Sequence, residues 1–378
     1  MTDSADTLRA RLTEAGRVCG GWCTVHIDFS EDRENPEGLA ESRRRSVRDR
    51  LNRMGADDAT VAAIEDALST PSGLPSPFSR FLLARDGEVA VDEAVPGAAR
   101  GETLEVGVLP RLAPLIATGV DEFPYLVVRT SRDGGDVAVH RTGAFFPEST
   151  ASVEGRTDTL HKVKGGGWAQ LNQQEHVEEL WKQNQQELSA EVDRLVREVR
   201  PRLLVVSGDV KARRLLLDAV GQAARSIAVE LDANTRSDGT DAARLDAFVA
   251  EQVAAVEQRD RADALDLLRS RVSQERAAAD VGLREVVGAL QQAQVDTLFV
   301  DVAALDGETL LALDGVPWVA RPGDETGDAE AVGEVPAAEA ILRAALLTDA
   351  RILTATQQAT GAGAAALLRW PAASVTGA

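Results

Sequence analysis

Lysine is nearly missing from this chain of 378 residues: four occur among 41 basic Lys and Arg side chains. Cysteine occurs twice, as Cys19 and Cys23 in CGGWC. Two thiols at this spacing make no disulfide framework and lack the two-residue gap of a redox or zinc pair. His26 adds a third potential ligand, but no fourth stands nearby, so packed thiols beside a strand are expected and no metal is assigned. Aromatic residues make up only 4% of the chain, which leaves Leu, Val and Ala to fill its cores. Also missing is any run of about 18 apolar residues, and the first residues, MTDSADTLRARLTEAG, show no basic stretch followed by an apolar one. A cytoplasmic protein with no membrane attachment is expected.

Acidic residues outnumber basic ones, 61 to 41, for a formal net charge of −20. A surface of that sign is poorly suited to nonspecific binding of nucleic acid, and DNA is excluded as a partner. RNA contacts must be confined to local basic patches, in RRRSVRDRLNR (43–53), HKVK (161–164) and the run from 194 to 214. High Asp and Glu with little Lys is also the composition of a high-GC genome or of adaptation to high salt, and composition does not separate these causes.

A chain this long exceeds the usual size of one core. Three domains are expected: N-terminal α+β over 1–122, a middle domain over 123–236 and a C-terminal α/β domain over 237–378. In the first, WCTVHIDFS (22–30) alternates as a strand, helices follow over 39–55 and 57–70 with Asp57 as cap, and 78–95 is a hairpin turning at Asp86-Gly87. In the second, two β-rich runs over 123–143 flank Asp133-Gly134-Gly135. From Leu171 to Val199 apolar residues at Val177, Leu180, Trp181, Leu188, Val192, Leu195, Val196 and Val199 keep one face of a helix apolar. At 1.5 Å per residue this helix is about 42 Å long, a rigid lever behind the glycines that precede it. A strand over 202–208, a helix over 209–224 and a strand over 226–231 complete an α/β layer. In the third, helical patterns run from 242 to 292, a strand covers 295–302, and 318–336 is an acidic solvated loop. A helix and strand over 337–356 and a last strand within 361–370 close the chain.

The stretch HKVKGGGWAQ (161–170) gathers positive charge and glycine in one loop: His161, Lys162 and Lys164 precede Gly165, Gly166 and Gly167, with Trp168 and Gln170 after them. Lys182 lies in the helix that follows. Such a loop suits approach to an anion, although a glycine triplet by itself is weak evidence. It has neither the Gly-Lys-Ser/Thr ending nor the GxGxxG spacing of a nucleotide-binding loop, so no cofactor is expected.

The hairpin with HKVK, the glycine tip, the long helix, VRPRLLVVSGDVKARRLLLDAV, GLREVVGALQQAQVDTLFVDV and the terminal GAGAAALLRW together resemble the bacterial and archaeal relatives of the archaeo-eukaryotic peptide-chain release factors. Pelota and the bacterial hibernation factor Balon belong to the same superfamily. The resemblance covers roughly the last two thirds of the chain. It implies an α/β and α+β multidomain fold: a variable α+β N-terminal domain, an RNase H-like middle domain and a C-terminal α/β domain of the kink-turn-binding ribosomal protein type. It also implies a ribosome partner, with contacts to rRNA and P-site tRNA, and an elongation factor Tu-type GTPase. In true release factors the tip is Gly-Gly-Gln; the glycines let the backbone approach the peptidyl-tRNA ester and the glutamine positions the attacking water. Here Gly166 and Gly167 are followed by Trp168, and the nearest glutamine is Gln170.

Two readings stay open. In one, Gln170 is the catalytic residue of a peptidyl-tRNA hydrolase that rescues stalled ribosomes. In the other, the favoured one, the loop occupies the peptidyl-transferase region without hydrolysis, as in ribosome hibernation or stalled-ribosome handling. Trp168 then stacks on a base, a contact worth about 1 to 3 kcal/mol, while His161, Lys162 and Lys164 touch phosphates. A hydrophobic staple for the helix is an equal role for Trp168. Arg43, Arg44, Arg45 and Arg48 are candidate rRNA contacts, with a solvated amphipathic helix as the alternative. Gln173, Gln174, Gln183, Gln185 and Gln186 read as a solvated face, His176 as helix exterior, His140 as a satisfied strand-edge residue and Ser207, before Gly208, as structural.

Overall fold

The computed structural model describes residues 8–30, 36–70, 73–99, 101–116, 122–154, 168–232, 239–273 and 278–370. Compactness divides the chain into two units, Glu122–Asp260 and a discontinuous one made of Met1–Asp121 with Arg261–Ala378. The protein is a mixed α/β multidomain chain with several sheets, the fold class expected from its residues.

The first segment holds α1 (Leu8–Arg17), β1 (Trp22–Asp28), α2 (Pro36–Arg53), α3 (Asp58–Ser69), β2 (Phe78–Arg85), β3 (Glu88–Pro96), β4 (Thr103–Gly107) and the single turn α4 (Ala113–Ile116). Its strands form an antiparallel sheet in the order β3-β2-β1-β4. Local chemistry sets the boundaries: the Asp57 carboxylate accepts the Thr60 amide at 2.8 Å and caps α3. Asp86 and Gly87 both take positive φ in the two-residue turn between β2 and β3. The helix α1 lies outside the expected elements.

The middle segment contains β5 (Pro124–Ser131), β6 (Gly134–Arg141), β7 (Ser149–Glu154), α5 (Trp168–Val199), β8 (Leu204–Gly208), α6 (Val210–Ala219), α7 (Gln222–Ser226), β9 (Ala228–Leu231) and the start of α8 (Gly239–Val272). The sheet order is β7-β6-β5-β8-β9, antiparallel through β5 and parallel beyond it, the pattern of an RNase H-like sheet. Alternation along β5 serves both faces. Leu126 and Val128 pack with Leu188, Val192 and Leu195 of α5, while Tyr125 and Val127 pack with Leu245 and Val256 of α8. One helix was expected over 209–224, but Asp193 of α5 accepts the Gly221 amide at 3.0 Å and the chain breaks there into α6 and α7. The strand β7 escaped the sequence pattern.

The last segment contains β10 (Ala279–Val281), α9 (Leu283–Gln291), β11 (Val295–Val300), β12 (Thr309–Leu313), β13 (Val319–Ala320), β14 (Ala331–Pro336), α10 (Ala337–Leu347), β15 (Arg351–Thr354), α11 (Gln357–Thr360) and β16 (Ala364–Leu368). One sheet has the order β10-β16-β11-β15 and a smaller one β13-β12-β14. The stretch 318–336 is therefore no simple solvated loop: its two ends pair with β12, burying Val319, Ala320 and Val335, and only its acidic centre is left between strands.

Every residue of α10 from Ala337 to Leu346 is buried, as expected of a helix apolar on all sides. The core around it includes Leu8, Leu12 and Ala15 of α1, so the first and last segments share one core. Two charged residues sit in that helix. Arg343 donates to the carbonyls of Gly16, Leu313 and Trp318. Glu339 accepts the Leu112 amide at 2.7 Å, and burial pushes its carboxyl up to about 7 against that bond and the Arg111 guanidinium. Among the described residues no helix is long and apolar enough to cross a membrane.

Candidate functional site

The functional residues read from the sequence converge on α5, a helix of 32 residues and about 48 Å at 1.5 Å per residue. His161, Lys162, Lys164, Gly165, Gly166 and Gly167 lie outside the described residues. Trp168 and Gln170 are the first and third residues of α5, so the backbone at Gln170 is already helical. Arg43, Arg44, Arg45 and Arg48 belong to the other compact unit, on α2, where each faces a carboxylate. Arg43 lies 3.4 Å from Asp28, Arg44 and Arg45 both meet Glu41, and Arg48 meets Glu65 at 3.1 Å. Much of the charge expected to meet rRNA is answered within the unit itself.

Toward its root α5 is held by polar contacts. Gln185 is buried; its carbonyl accepts the Thr130 hydroxyl at 2.8 Å and its amide donates to the Ser131 carbonyl at 2.8 Å. Asn184, also buried, donates to the Arg132 carbonyl at 3.3 Å. A glutamine read as solvated is thus the bolt between α5 and the β5–β6 turn, and burial without those partners would be costly. Two glycines permit the close fit. A Cβ on Gly135 would come within 2.7 Å of the Leu188 side chain, and one on Gly208, at φ 128°, within 1.8 Å of the Thr130 carbonyl oxygen. Ser207 donates to the Val128 carbonyl at 3.3 Å inside the sheet, a structural role. His140 stacks on Tyr125 with ring centres 5.1 Å apart, and burial lowers its pKa.

Beside this bolt stands Trp181, half-buried and counted from the sequence only as part of the apolar stripe. The Arg132 guanidinium lies 4.9 Å from its ring centre and the Lys211 ammonium 5.9 Å. Asp209 caps α6 through the Lys211 and Ala212 amides and meets Arg132 at 3.2 Å. Burial raises the Asp209 carboxyl, but the Ala212 amide, the Arg132 charge and the Lys211 amide together hold it below its ordinary range. The turn after β5, the start of α6 and one face of α5 meet here. Lysine scarcity was the signal that could have found the cluster, because two of the four lysines, Lys182 and Lys211, fall on or beside Trp181. Elsewhere, Cys23 is buried on β1, Cys19 donates to the Leu313 carbonyl and His26 pairs with Ser79. Among the described residues no group of three or more His, Cys, Asp or Glu is placed to hold a metal.

Residues 124–274, from the start of β5 to just past the end of α8, match the model of bacterial archaeo-eukaryotic release factor family 2. Over this span the chain is release factor-like. The matched span includes the 161–170 loop, all of α5 and the cluster around Trp181. Two uncharacterized Mycobacterium tuberculosis proteins, Rv2629 of strain H37Rv and MT2704 of strain CDC 1551, are each 25% identical over 339 residues, covering 87% of this chain and 89% of the relative. Among solved structures, archaeal Pelota from a ribosome-bound model with ABCE1 is 11% identical with a TM-score of 0.41, covering 98% of this chain and 96% of that one. Dom34 of S. cerevisiae, a translation termination-like factor that interacts with Hbs1, is 10% identical with a TM-score of 0.39, covering 78% of this chain and 80% of that one.

Proposed function

We propose that this release-factor-like protein is a cytoplasmic, ribosome-associated factor that binds the A-site and brings its 161–170 loop to the peptidyl-transferase centre without hydrolysis, in hibernation or stalled-ribosome handling. rRNA, P-site tRNA and an elongation factor Tu-type GTPase are its partners in this reading. The observation that carries it is the family match over the loop and α5 combined with the order Gly166-Gly167-Trp168-Ala169-Gln170. A flexible glycine tip can lead a glutamine to an ester; here Trp168 follows the glycines and Gln170 is committed to the first turn of a helix. Delivery of water by a side chain requires placement close to the reacting carbon, and a shift of about 1 Å can cost 100-fold in rate.

The competing hydrolase reading uses Gln170, and two measurements separate the readings. The protein is expected to cosediment with ribosomes from ATP-depleted lysate; recovery in the supernatant alone defeats both. Purified ribosomes carrying labelled peptidyl-tRNA are then expected to release no peptide on its addition. Release that is lost in Gln170→Ala and retained in Trp168→Ala overturns the occupancy reading and establishes hydrolysis.

A further inference from the structure

We propose that Arg132, Lys211 and the neighbouring Lys182 and Arg214 form a second RNA contact, a phosphodiester-binding patch at the root of α5, separate in sequence from the glycine loop. The choice of RNA as the ligand rests on the ribosome reading; the cationic chemistry of the patch does not.

The placement of Lys211 is the first argument. It is the second residue of α6, where the helix dipole disfavours a cation by about 0.3 to 1 kcal/mol, and where Asp209 already supplies the cap. A chain with four lysines puts one of them at this position, exposed and with no ion pair among the described residues. Sequence choices that work against local stability are expected at functional sites. Arg214 is exposed one turn further along α6, at the i,i+3 spacing that puts it on the same helix face as Lys211.

Rigidity is the second. Arg132 keeps half its side chain exposed, at 53%, yet it is held by Trp181 at 4.9 Å and Asp209 at 3.2 Å, on a turn fixed by Asn184 and Gln185. Lys211 rests against the same indole. Long cationic side chains ordinarily lose entropy when they bind, and cations already ordered on an aromatic surface lose less. The indole is therefore a holder for charge and not a free stacking platform. Carboxylates are present: Asp209 faces Arg132, Glu179 lies 3.7 Å from Lys182, and Asp133 is exposed on the turn. With Asp218 at the i,i+4 spacing from Arg214, four cations against four carboxylates still exceed the whole-chain ratio of 41 to 61. Cations spread over a turn and two helices, outside any closed cavity, fit a polymer of phosphates better than a small anion. All four lysines of the chain then serve one purpose, two before the glycines and two at the root of the helix.

The test uses the full chain and a fluorescein-labelled, mixed-sequence single-stranded RNA, with anisotropy measured across a KCl series, alongside ribosome cosedimentation. The double variant Arg132→Gln with Lys211→Gln is expected to weaken binding about 10- to 30-fold near 0.1 M salt and to flatten the log Kd against log salt slope by about 1.4, from 0.7 per lost phosphate contact. Lys211→Gln alone leaves Arg132 on Trp181 and should lower the slope by about 0.7. Arg269→Gln, on the exposed side of α8, is expected to match wild type. Circular dichroism melts confirm that each variant is folded. Failure of wild type to bind this RNA, or an unchanged slope in folded variants, overturns the patch. Cosedimentation that survives alongside such a result leaves the ribosome reading intact; RNA binding lost in the variants with no cosedimentation of wild type supports the patch and defeats that reading.

Discussion

The helices α10 and α5 solve opposite problems. α10 is short, alanine-rich and enclosed from Ala337 to Leu346, so neighbouring backbones approach it from every side. α5 is nearly three times as long and, among its described side chains, buries Leu188, Val192 and Leu195 in one stripe, with Asn184, Gln185 and Ser189 beside it. Enclosure suits a helix that only has to hold a core together. A one-sided stripe with polar bolts suits a helix that has to be fixed at one end and carry something at the other. Charge follows the same division: Glu339 and Arg343 of α10 are spent on backbone groups, whereas the cations near α5 stay at the surface.

The difference between the two helices can be broken from either side. Ile341→Ala empties space in a fully enclosed position and is expected to cost about 2 to 5 kcal/mol, read as a fall in the denaturant midpoint. A cost below 1 kcal/mol would mean that α10 is not enclosed as described. Gln185→Ala removes the acceptor of the Thr130 hydroxyl and a donor to the Ser131 carbonyl and is expected to cost about 1 to 3 kcal/mol, with faster amide exchange confined to the β5–β6 turn. Gln183→Ala, one of the exposed glutamines, should stay within about 0.5 kcal/mol of wild type, so equal effects at the two sites would remove the bolt.

A further effect is one of pH. The Glu339 carboxyl has a folded pKa of about 7, above its ordinary 4.5, so between those values the folded protein holds a proton that the unfolded chain has released. Stability from this group is present below about 4.5 and declines as pH rises through 7. Glu339→Gln is expected to remove that decline. The midpoint difference between variant and wild type should grow in the variant's favour from pH 5 to pH 8, and a constant difference would rule the linkage out.

Local rules were legible in the sequence because their partners are a few residues apart. Asp57 and Thr60, or Asp86 and Gly87, announce a cap and a turn without help from the rest of the chain. The long helix was legible from its stripe, and the five-stranded sheet largely from β-rich runs. The small sheet of β12, β13 and β14 was not, since a two-residue strand such as Val319–Ala320 has no periodicity to detect. Nor was the shared core of the first and last segments, which joins residues as distant as Arg9 and Ala350. At the candidate site, glycine, lysine and tryptophan marked the loop. The role of Gln185 was hidden because a glutamine facing water and one bonded to a buried threonine look alike until the strand arrives.

The shared core also sets an order on the protein's own synthesis. Leu8, Leu12 and the strands near them emerge first, yet their partners in α10 and β16 lie beyond residue 336. At about 5 to 20 residues per second the nascent N-terminal segment waits roughly 15 to 70 s for them, while Glu122–Asp260 is complete in the interval and free to fold on its own. The part matched by the family model is thus the part that can mature first, and the remainder closes around apolar surface that must be kept from other chains until the last strand leaves the ribosome.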